Sequence, residues 1–171
     1  RGPLRGIIHA AGASHNGLVR DLDAADISAV RRGKVQGAQV LRASTKGLAL
    51  DFVVLCTAAA NLFGASGQGA YAAANAELEA LGAAWRRDGT PVSSIAWGPW
   101  RDAGMFAAMN DRAQAAWIER GLIPMTEAEA FAALDRAIAG EVRQALAAKV
   151  DWARALADDG VRWNLALFAA M

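Results

Sequence analysis

The stretch LCTAAANLFGASGQGAYAAAN, residues 55–75, decides how this chain folds. It passes from an apolar segment through a glycine-containing turn into an alanine-rich segment, the pattern of a buried strand followed by a helix. Tyr71 and Asn75 stand four residues apart near the start of that predicted helix, so both side chains emerge on one face. A strand that ends beside two such polar groups is typical of an active-site wall.

Apolar segments predict four strands, each bounded by turn-forming or charged residues: 4–10, 51–57, 92–97 and 145–150. The first three are almost continuously apolar, which indicates strands covered on both faces. Helical patterns fill the intervals between the strands. This alternation predicts an α/β fold with a doubly wound parallel sheet, in which the whole chain forms one domain.

The helix limits follow from capping residues and from spacing. Asp23 is placed to cap a helix with apolar positions at helical spacing, namely Ile27, Val30, Val35, Ala38 and Leu41. A second helix is predicted over residues 69–87, before a turn at 88–91. Thr126 and Glu129 form a capping-box pattern at the start of a third helix.

Ligands of doubly wound sheets bind beyond the carboxyl ends of the strands. The segments that follow predicted strands are therefore candidate binding segments: HAAG at 9–12, CTAAAN at 56–61 and WGPW at 97–100. The segment 101–125 has the least regular pattern and two interpretations. It is either a lid over the site or a helix that covers the sheet edge.

Tyr71 and Lys34 are the candidate reactive groups. The positive end of a helix dipole favours the phenolate of a tyrosine near the helix start, and a nearby lysine favours it further. A phenol with a lowered pKa is a usable acid near neutral pH. Each residue also has a purely structural interpretation. Tyr71 would be buried with its hydroxyl satisfied, and Lys34 would be a surface side chain with a packed stem.

Composition argues against several classes of protein. The net charge is +1 and basic residues are mixed with acidic ones, so no nucleic-acid-binding surface is predicted. The longest apolar run is too short to cross a bilayer. The single cysteine, Cys56, lies in an apolar run and cannot form a disulfide framework. We therefore expect a cytoplasmic protein without membrane contact.

Two patterns that resemble functional motifs fail on inspection. Residues 64–67 resemble the nucleophile elbow G-x-S-x-G, but Gln68 stands where the last glycine is required. His9 and His15 have no cysteine or carboxylate at ligand spacing, so no metal site is predicted. His9 ends a predicted strand and is interpreted as a structural hydrogen-bonding group.

Five segments resemble a known family in their order and spacing: HAAG, RRGKVQGA, LFGASGQGAYAAANAELEAL, SSIAWGPWRDAGM and AAKVDW. Together they resemble the catalytic half of a ketoreductase domain of a modular type I polyketide synthase, in the short-chain dehydrogenase/reductase superfamily. The resemblance covers nearly all of the chain and implies the C-terminal portion of a Rossmann-like fold. The first strands and the glycine-rich phosphate loop of such domains would lie upstream, so an upstream half is an expected partner.

This resemblance implies NADPH-dependent reduction of a β-ketoacyl thioester on an acyl carrier protein. The setting would be a multidomain synthase of antibiotic biosynthesis, whose other domains are expected partners. Tyr71 would donate the proton, Lys34 would lower its pKa and hold the nicotinamide ribose, and Asn75 would support the proton relay. The other positions that the resemblance assigns to the cofactor are Ala10, Ala11, Gly12, Thr57, Gly98, Pro99 and Trp100.

Ala58 departs from the family pattern. The family has a serine thirteen residues before the tyrosine, where it hydrogen-bonds the substrate carbonyl, and this chain has Ala58 there. Thr57 is adjacent, but successive strand residues face opposite sides, so it substitutes only if the strand shifts by one residue. Asn61 likewise stands where the family has glycine.

The departure leaves a second hypothesis open, a reductively silent domain kept for architecture or an engineered inactive variant. The stereochemical markers of the family do not help. Residues 14–16 are Ser-His-Asn instead of the aspartate motif of one class, and Phe63 replaces the tryptophan of the other. The sequence therefore leaves both the acyl substrate and the alcohol configuration open.

Overall fold

A computed structural model describes residues 2–64 and 66–157. The strands in chain order are β1 Gly6–His9, β2 Phe52–Ala58, β3 Val92–Trp97, β4 Leu122–Ile123, β5 Gln144–Ala147 and β6 Lys149–Val150. Four of them form a parallel sheet in the order β1-β2-β3-β5. The parallel α/β fold predicted from the sequence is confirmed.

Seven helices lie between these strands and an eighth follows β6 within the described residues: α1 Ala24–Arg31, α2 Gly37–Ser44, α3 Ala60–Phe63, α4 Gly69–Arg87, α5 Gly104–Ala107, α6 Asp111–Glu119, α7 Glu127–Ile138 and α8 Trp152–Ala157. A π-helical turn over Arg32–Gln36 joins α1 to α2, and a 3-10 turn covers Val19–Asp21. The single helix predicted after Asp23 is therefore interrupted. Within the described residues, none of the helices has both the length and the apolar character to cross a membrane.

Helices cover both faces of the central strands. On one face α2 and α4 pack against β2 and β3 through a buried cluster of Ala38, Val53, Leu55, Leu78, Trp85 and Val92. On the other face α7 packs through Ala137 against Val54 and Ile95. β1 is an edge strand within the described residues, and Ile8 is 48% exposed, so the predicted burial on both faces holds for β2 and β3 only.

The caps predicted from the sequence are present. The Asp23 side chain accepts hydrogen bonds from Ala25 N and Asp26 N at the start of α1. Thr126 and Glu129 form a reciprocal capping box at the start of α7. The helix predicted over residues 69–87 has those limits in the structure, and so does the strand at 92–97.

The predicted strand at 145–150 is wrong in its extent. β5 ends at Ala147, which pairs with Trp97, the last residue of β3. Gly98 N still donates to the Ala147 carbonyl oxygen at 2.8 Å, and beyond Ala147 the chain takes its hydrogen-bond partners from another strand. Lys149 and Val150 find them by pairing antiparallel with Ile123 and Leu122 in a second, two-stranded sheet.

Candidate active site

A cavity of about 440 Å³ opens at the carboxyl ends of the strands. It brings together most of the residues predicted for the site: Ala10, Lys34, Thr57, Ala58, Tyr71, Gly98, Pro99 and Trp100. Three predicted residues are not in its lining. Ala11 and Gly12 lie exposed on the loop after β1, and Asn75 is buried one helical turn behind Tyr71. The site therefore occupies the sheet edge where doubly wound folds bind ligands.

Lys34 enters the cavity from the π-helical turn. Its side chain is buried, 4% exposed, and its Nζ donates a hydrogen bond to the carbonyl oxygen of Cys56 at 3.1 Å. Burial lowers the pKa of Lys34 below its usual value, since a buried ammonium loses solvation. The structural alternative of a surface lysine does not hold.

Tyr71 stands near the start of α4 and faces Lys34. The Lys34 Nζ lies 5.5 Å from the centre of the Tyr71 ring. Burial raises the pKa of Tyr71, and the neighbouring Asn75 amide opposes that rise only in part. The predicted lowering of the Tyr71 pKa by Lys34 is therefore absent from this structure, because desolvation of the phenolate dominates.

Asn75 is completely buried beside Tyr71. Its Nδ2 donates a hydrogen bond to the backbone carbonyl of Tyr71 at 2.7 Å. Its Oδ1 has no hydrogen-bond partner among the described residues. A buried amide oxygen without a partner is costly, so it marks a place where a further donor would be favourable.

Ala58 ends β2 and presents only a methyl group to the cavity. The adjacent hydroxyl does not replace the missing one. Thr57 Oγ1 lies 2.7 Å from Glu79 Oε1 of α4 and 3.1 Å from the Ile95 carbonyl oxygen. The strand keeps its register through this point, with Thr57 opposite Ala96 and Ala58 opposite Trp97, so the one-residue shift is not present.

A family model described as the KR domain matches residues 1–102. The chain belongs to the KR domain family. Polyketide synthases are among its relatives. It is 37% identical over 152 residues to a pikromycin polyketide synthase component of Streptomyces venezuelae, with 89% of this chain and 10% of the relative covered. A phenolphthiocerol synthesis polyketide synthase type I of Mycobacterium bovis is 40% identical over 150 residues, with 87% of this chain and 7% of the relative covered.

Solved structures agree with this membership. A structure described as A-type ketoreductases from a modular polyketide synthase has a TM-score of 0.84 and 35% identity. It covers 90% of this chain, which spans 32% of that structure's chain. The chain spans about a tenth or less of the curated relatives described above. The KR domain described here is thus similar to a part of much longer enzymes.

The wall formed by residues after β3 fits a flat, apolar ligand group. A Cβ atom on Gly98 would lie 2.8 Å from the Ala148 Cβ, so only glycine is accommodated there. Trp97 and Trp100 pack edge to face with ring centres 5.3 Å apart. Pro99 and Trp100 continue the wall of the KR domain site.

The segment 101–125 supplies the opposite side of the cavity. It contains α5, α6 and β4, and the cavity-lining side chains within it are Ala103, Met105, Phe106, Met109 and Trp117. Sequence reasoning did not assign Trp117, or Leu134 of α7, to the site. Their helical spacing is that of ordinary packing residues, so the pattern carried no signal of a cavity.

The loop at 14–17 contacts the turn that precedes α4. Gly17 N donates to the Gly67 carbonyl oxygen at 2.8 Å, and Gln68 Nε2 lies 3.4 Å from Asn16 Oδ1. This contact fixes the entry into the helix that carries Tyr71. Phe63, at the position of the second stereochemical marker, is fully buried and packs against Trp152 with ring centres 6.3 Å apart.

The residues at the cavity fit the nicotinamide and ribose end of a dinucleotide. Ala10, Ala58 and Gly98 leave room for a planar ring, and Lys34 has donors beyond the one that binds the Cys56 carbonyl. Asn75 contributes the unpartnered Oδ1 behind Tyr71. Within the described residues, no group of three or more histidine, cysteine or acidic side chains is arranged to hold a metal ion.

Proposed function

We propose that this KR domain reduces a β-ketoacyl thioester to the β-hydroxyacyl thioester with NADPH as the reductant. The observation that carries the proposal is the convergence of Lys34 and Tyr71, which reach one cavity from two different helices. Among the described residues the buried Lys34 ammonium has no ion pair with a carboxylate, which is unfavourable for folding alone, so a functional reason for its position is expected.

The proton for the carbonyl oxygen comes from Tyr71. Burial keeps the pKa of Tyr71 above its usual value, so the phenol is protonated at neutral pH and is in the form that donates. Lys34 holds the ribose hydroxyls and stabilises the phenolate after the transfer, and Asn75 supports the return of a proton to Tyr71. The bound nicotinamide supplies the hydride that the carbonyl carbon gains.

The substrate is proposed to arrive on an acyl carrier protein. The lining by Met105, Phe106, Met109 and Trp117 is apolar and suits an acyl chain. The other domains of the synthase and the upstream half of the ketoreductase are the further proposed partners, and the enzyme acts in the cytoplasm. The segment 101–125 is the proposed lid, since it forms one side of the cavity.

Ala58 is expected to slow this reaction. One preorganised donor to a developing oxyanion is worth about 10²–10³ in rate, and position 58 offers a methyl group instead. Tyr71 still contacts the same oxygen in the proposed complex. The expected enzyme is therefore slow but able to bind cofactor.

A reductively silent domain is the second candidate. The observation that favours it is the engagement of the Thr57 hydroxyl with Glu79 and Ile95, which leaves no hydroxyl at the end of β2 to replace the serine. A silent domain would contribute to the architecture of the synthase and not to reduction.

NADPH oxidation with a short β-ketoacyl thioester separates the two candidates. The complete natural polypeptide is compared with its Ala58→Ser and Ala58→Gly variants. We expect slow turnover that rises about 10²–10³-fold in the serine variant and not in the glycine control. Absence of turnover in all three proteins would contradict the reductase proposal and favour the silent domain.

A further inference from the structure

The helix that carries Lys34 is irregular at that residue. Arg32–Gln36 form a π-helical turn, and Gly37 N donates to the Arg32 carbonyl, five residues back. Such a turn inserts one residue into the helix and often lies at functional sites. A π-helical turn is rare within a helix, so a contact from another element that favours it is expected.

His9 is the group packed against this turn. Its Nε2 lies 2.7 Å from the carbonyl oxygen of Lys34, and the imidazole is 4% exposed. Because a carbonyl oxygen accepts and cannot donate, Nε2 carries the proton of this bond. A Cβ atom on Gly37 would lie 3.4 Å from His9 Cε1, so the ring rests directly on the turn.

The loop after His9 holds the side chain of Lys34 from a second direction. A Cβ atom on Gly12 would lie 3.0 Å from Lys34 Cε and 3.3 Å from its Nζ. A Cβ atom on Gly33 would lie 3.6 Å from the Gly12 Cα. The HAAG segment therefore contacts the Lys34 backbone through its first residue and the Lys34 side chain through its last.

From these contacts we propose that His9 is a positioning residue, which fixes the π-helical turn so that the Lys34 ammonium points at Tyr71. The bond ties the end of β1 to the lysine backbone at the level of the cavity. Without it, the turn can relax toward a regular helix, which rotates Lys34 away from the Cys56 carbonyl. The consequence for cofactor binding rests on the proposed function, whereas the consequence for Lys34 itself does not.

His9→Met and His9→Gln are the matched test. Both side chains have similar length and both lack the imidazole, but only glutamine places a donor near the position of Nε2. The first readout is the pH midpoint for labelling of Lys34 by trinitrobenzenesulfonate, measured by peptide mass spectrometry on the complete natural polypeptide. The titratable groups that face Lys34 among the described residues are the Cys56 thiol on β2, the Tyr71 phenol on α4 and His9 on β1.

The expected result is an upward shift of the midpoint in His9→Met, since burial is what lowers the pKa of Lys34. His9→Gln should keep the midpoint of the unmodified protein, and His15→Met, which removes the other histidine, should do so too. Equal midpoints in His9→Met and His9→Gln would overturn the proposal.

Nitrogen NMR of the unmodified protein tests the role of His9 independently of whether the variants fold. It should show His9 protonated at Nε2 with slow exchange, and an Nδ1-only tautomer would overturn the proposal.

Cofactor affinity is the second readout. A displaced lysine is expected to weaken NADPH binding about tenfold in His9→Met and to leave it unchanged in His9→Gln. In a Lys34→Met background His9→Met should add little further loss, because residues that act through one another are not additive. A further tenfold loss of NADPH affinity from His9→Met in the Lys34→Met background would overturn the proposal. If the protein neither binds NADPH nor turns over, the proposed function fails, while the labelling still reports whether His9 positions Lys34.

Discussion

The Thr57 hydroxyl oxygen lies 2.7 Å from the Glu79 carboxylate, on the opposite side of β2 from the position that the family serine would use. Asn61 Nδ2 also donates to this carboxylate oxygen at 3.2 Å. Glu79 therefore ties the end of β2 and the start of α3 to α4, the helix that carries Tyr71. Thr57 stabilises the frame of the site and does not provide the missing hydroxyl.

Thr57→Val separates these two roles, because valine keeps the shape and removes the donor. We expect the free energy of unfolding to fall by about 1 kcal/mol, as is usual for a lost buried hydrogen bond. NADPH oxidation should change by less than about threefold, in contrast to the 10²–10³ that loss of an oxyanion donor costs. Thermal unfolding and steady-state rates of the complete ketoreductase domain measure both. A rate loss of a hundredfold would show that Thr57 contacts the substrate after all.

We expect Lys34→Met to lose function and to gain stability. Burial lowers the pKa of Lys34, so the folded state binds its proton less tightly than the unfolded state does. The buried ammonium therefore destabilises the fold fully at pH values below the pKa of Lys34 in the folded state. This destabilisation disappears as the pH rises toward the ordinary lysine pKa of 10.5. Methionine fills the same volume without the charge, so the variant should be more stable at neutral pH by about 1 kcal/mol.

Melting curves from pH 7 to 10 in the absence of cofactor test this prediction. The melting temperature of Lys34→Met should exceed that of the unmodified domain at pH 7, and the difference should narrow as the pH rises. Lys46→Met, on an exposed lysine, is the control and should show no such trend. A lower melting temperature at pH 7 would mean that the bond to the Cys56 carbonyl outweighs the burial of the charge.

Local signals predicted the fold well, whereas long-range contacts were not visible in the sequence. The caps at Asp23 and Thr126 were predictable because their bonds join residues three positions apart. The division of the predicted strand at 145–150 into β5 and β6 was not predictable, because it depends on where β3 ends and on the distant partner Leu122.

The candidate site shows the same contrast. The spacing of Tyr71 and Asn75 placed both on one helix face, and the resemblance assigned Lys34 to the same site. The raised pKa of Tyr71 could not be read from the sequence, because it depends on how much solvent the surrounding elements exclude. The π-helical turn also gave no signal, since His9, the side chain that bonds to it, lies on another element.

Gly98→Ala should disturb the wall of the cavity that follows β3. The added Cβ would lie 2.8 Å from the Ala148 Cβ and 3.1 Å from the Ala148 Cα, and backbone atoms cannot move aside as a flexible side chain can. Overpacking of this kind costs about 1–3 kcal/mol. We expect a lower unfolding free energy and weaker NADPH binding in titration of the complete domain. Gly2→Ala, where the added Cβ meets nothing within 4 Å, is the control, and equal behaviour of the two variants would contradict the prediction.

Glu129→Gln tests the capping box at the start of α7. The Glu129 carboxylate accepts hydrogen bonds from Lys149 Nζ at 2.8 Å and from Thr126 N at 2.8 Å, and these contacts lower its pKa from 4.5 to about 2. A carboxyl group with a lowered folded-state pKa stabilises the fold above its unfolded value and loses that effect as the pH falls through the folded value. The unmodified domain should therefore exceed Glu129→Gln in stability above pH 4.5, and the difference should shrink between pH 4.5 and about 2.

Urea unfolding across this pH range measures the difference in the free energy of unfolding, with Glu127→Gln as the control for loss of charge at the same helix start. A difference that is independent of pH would assign the stabilisation to packing of the side chain and not to its charge.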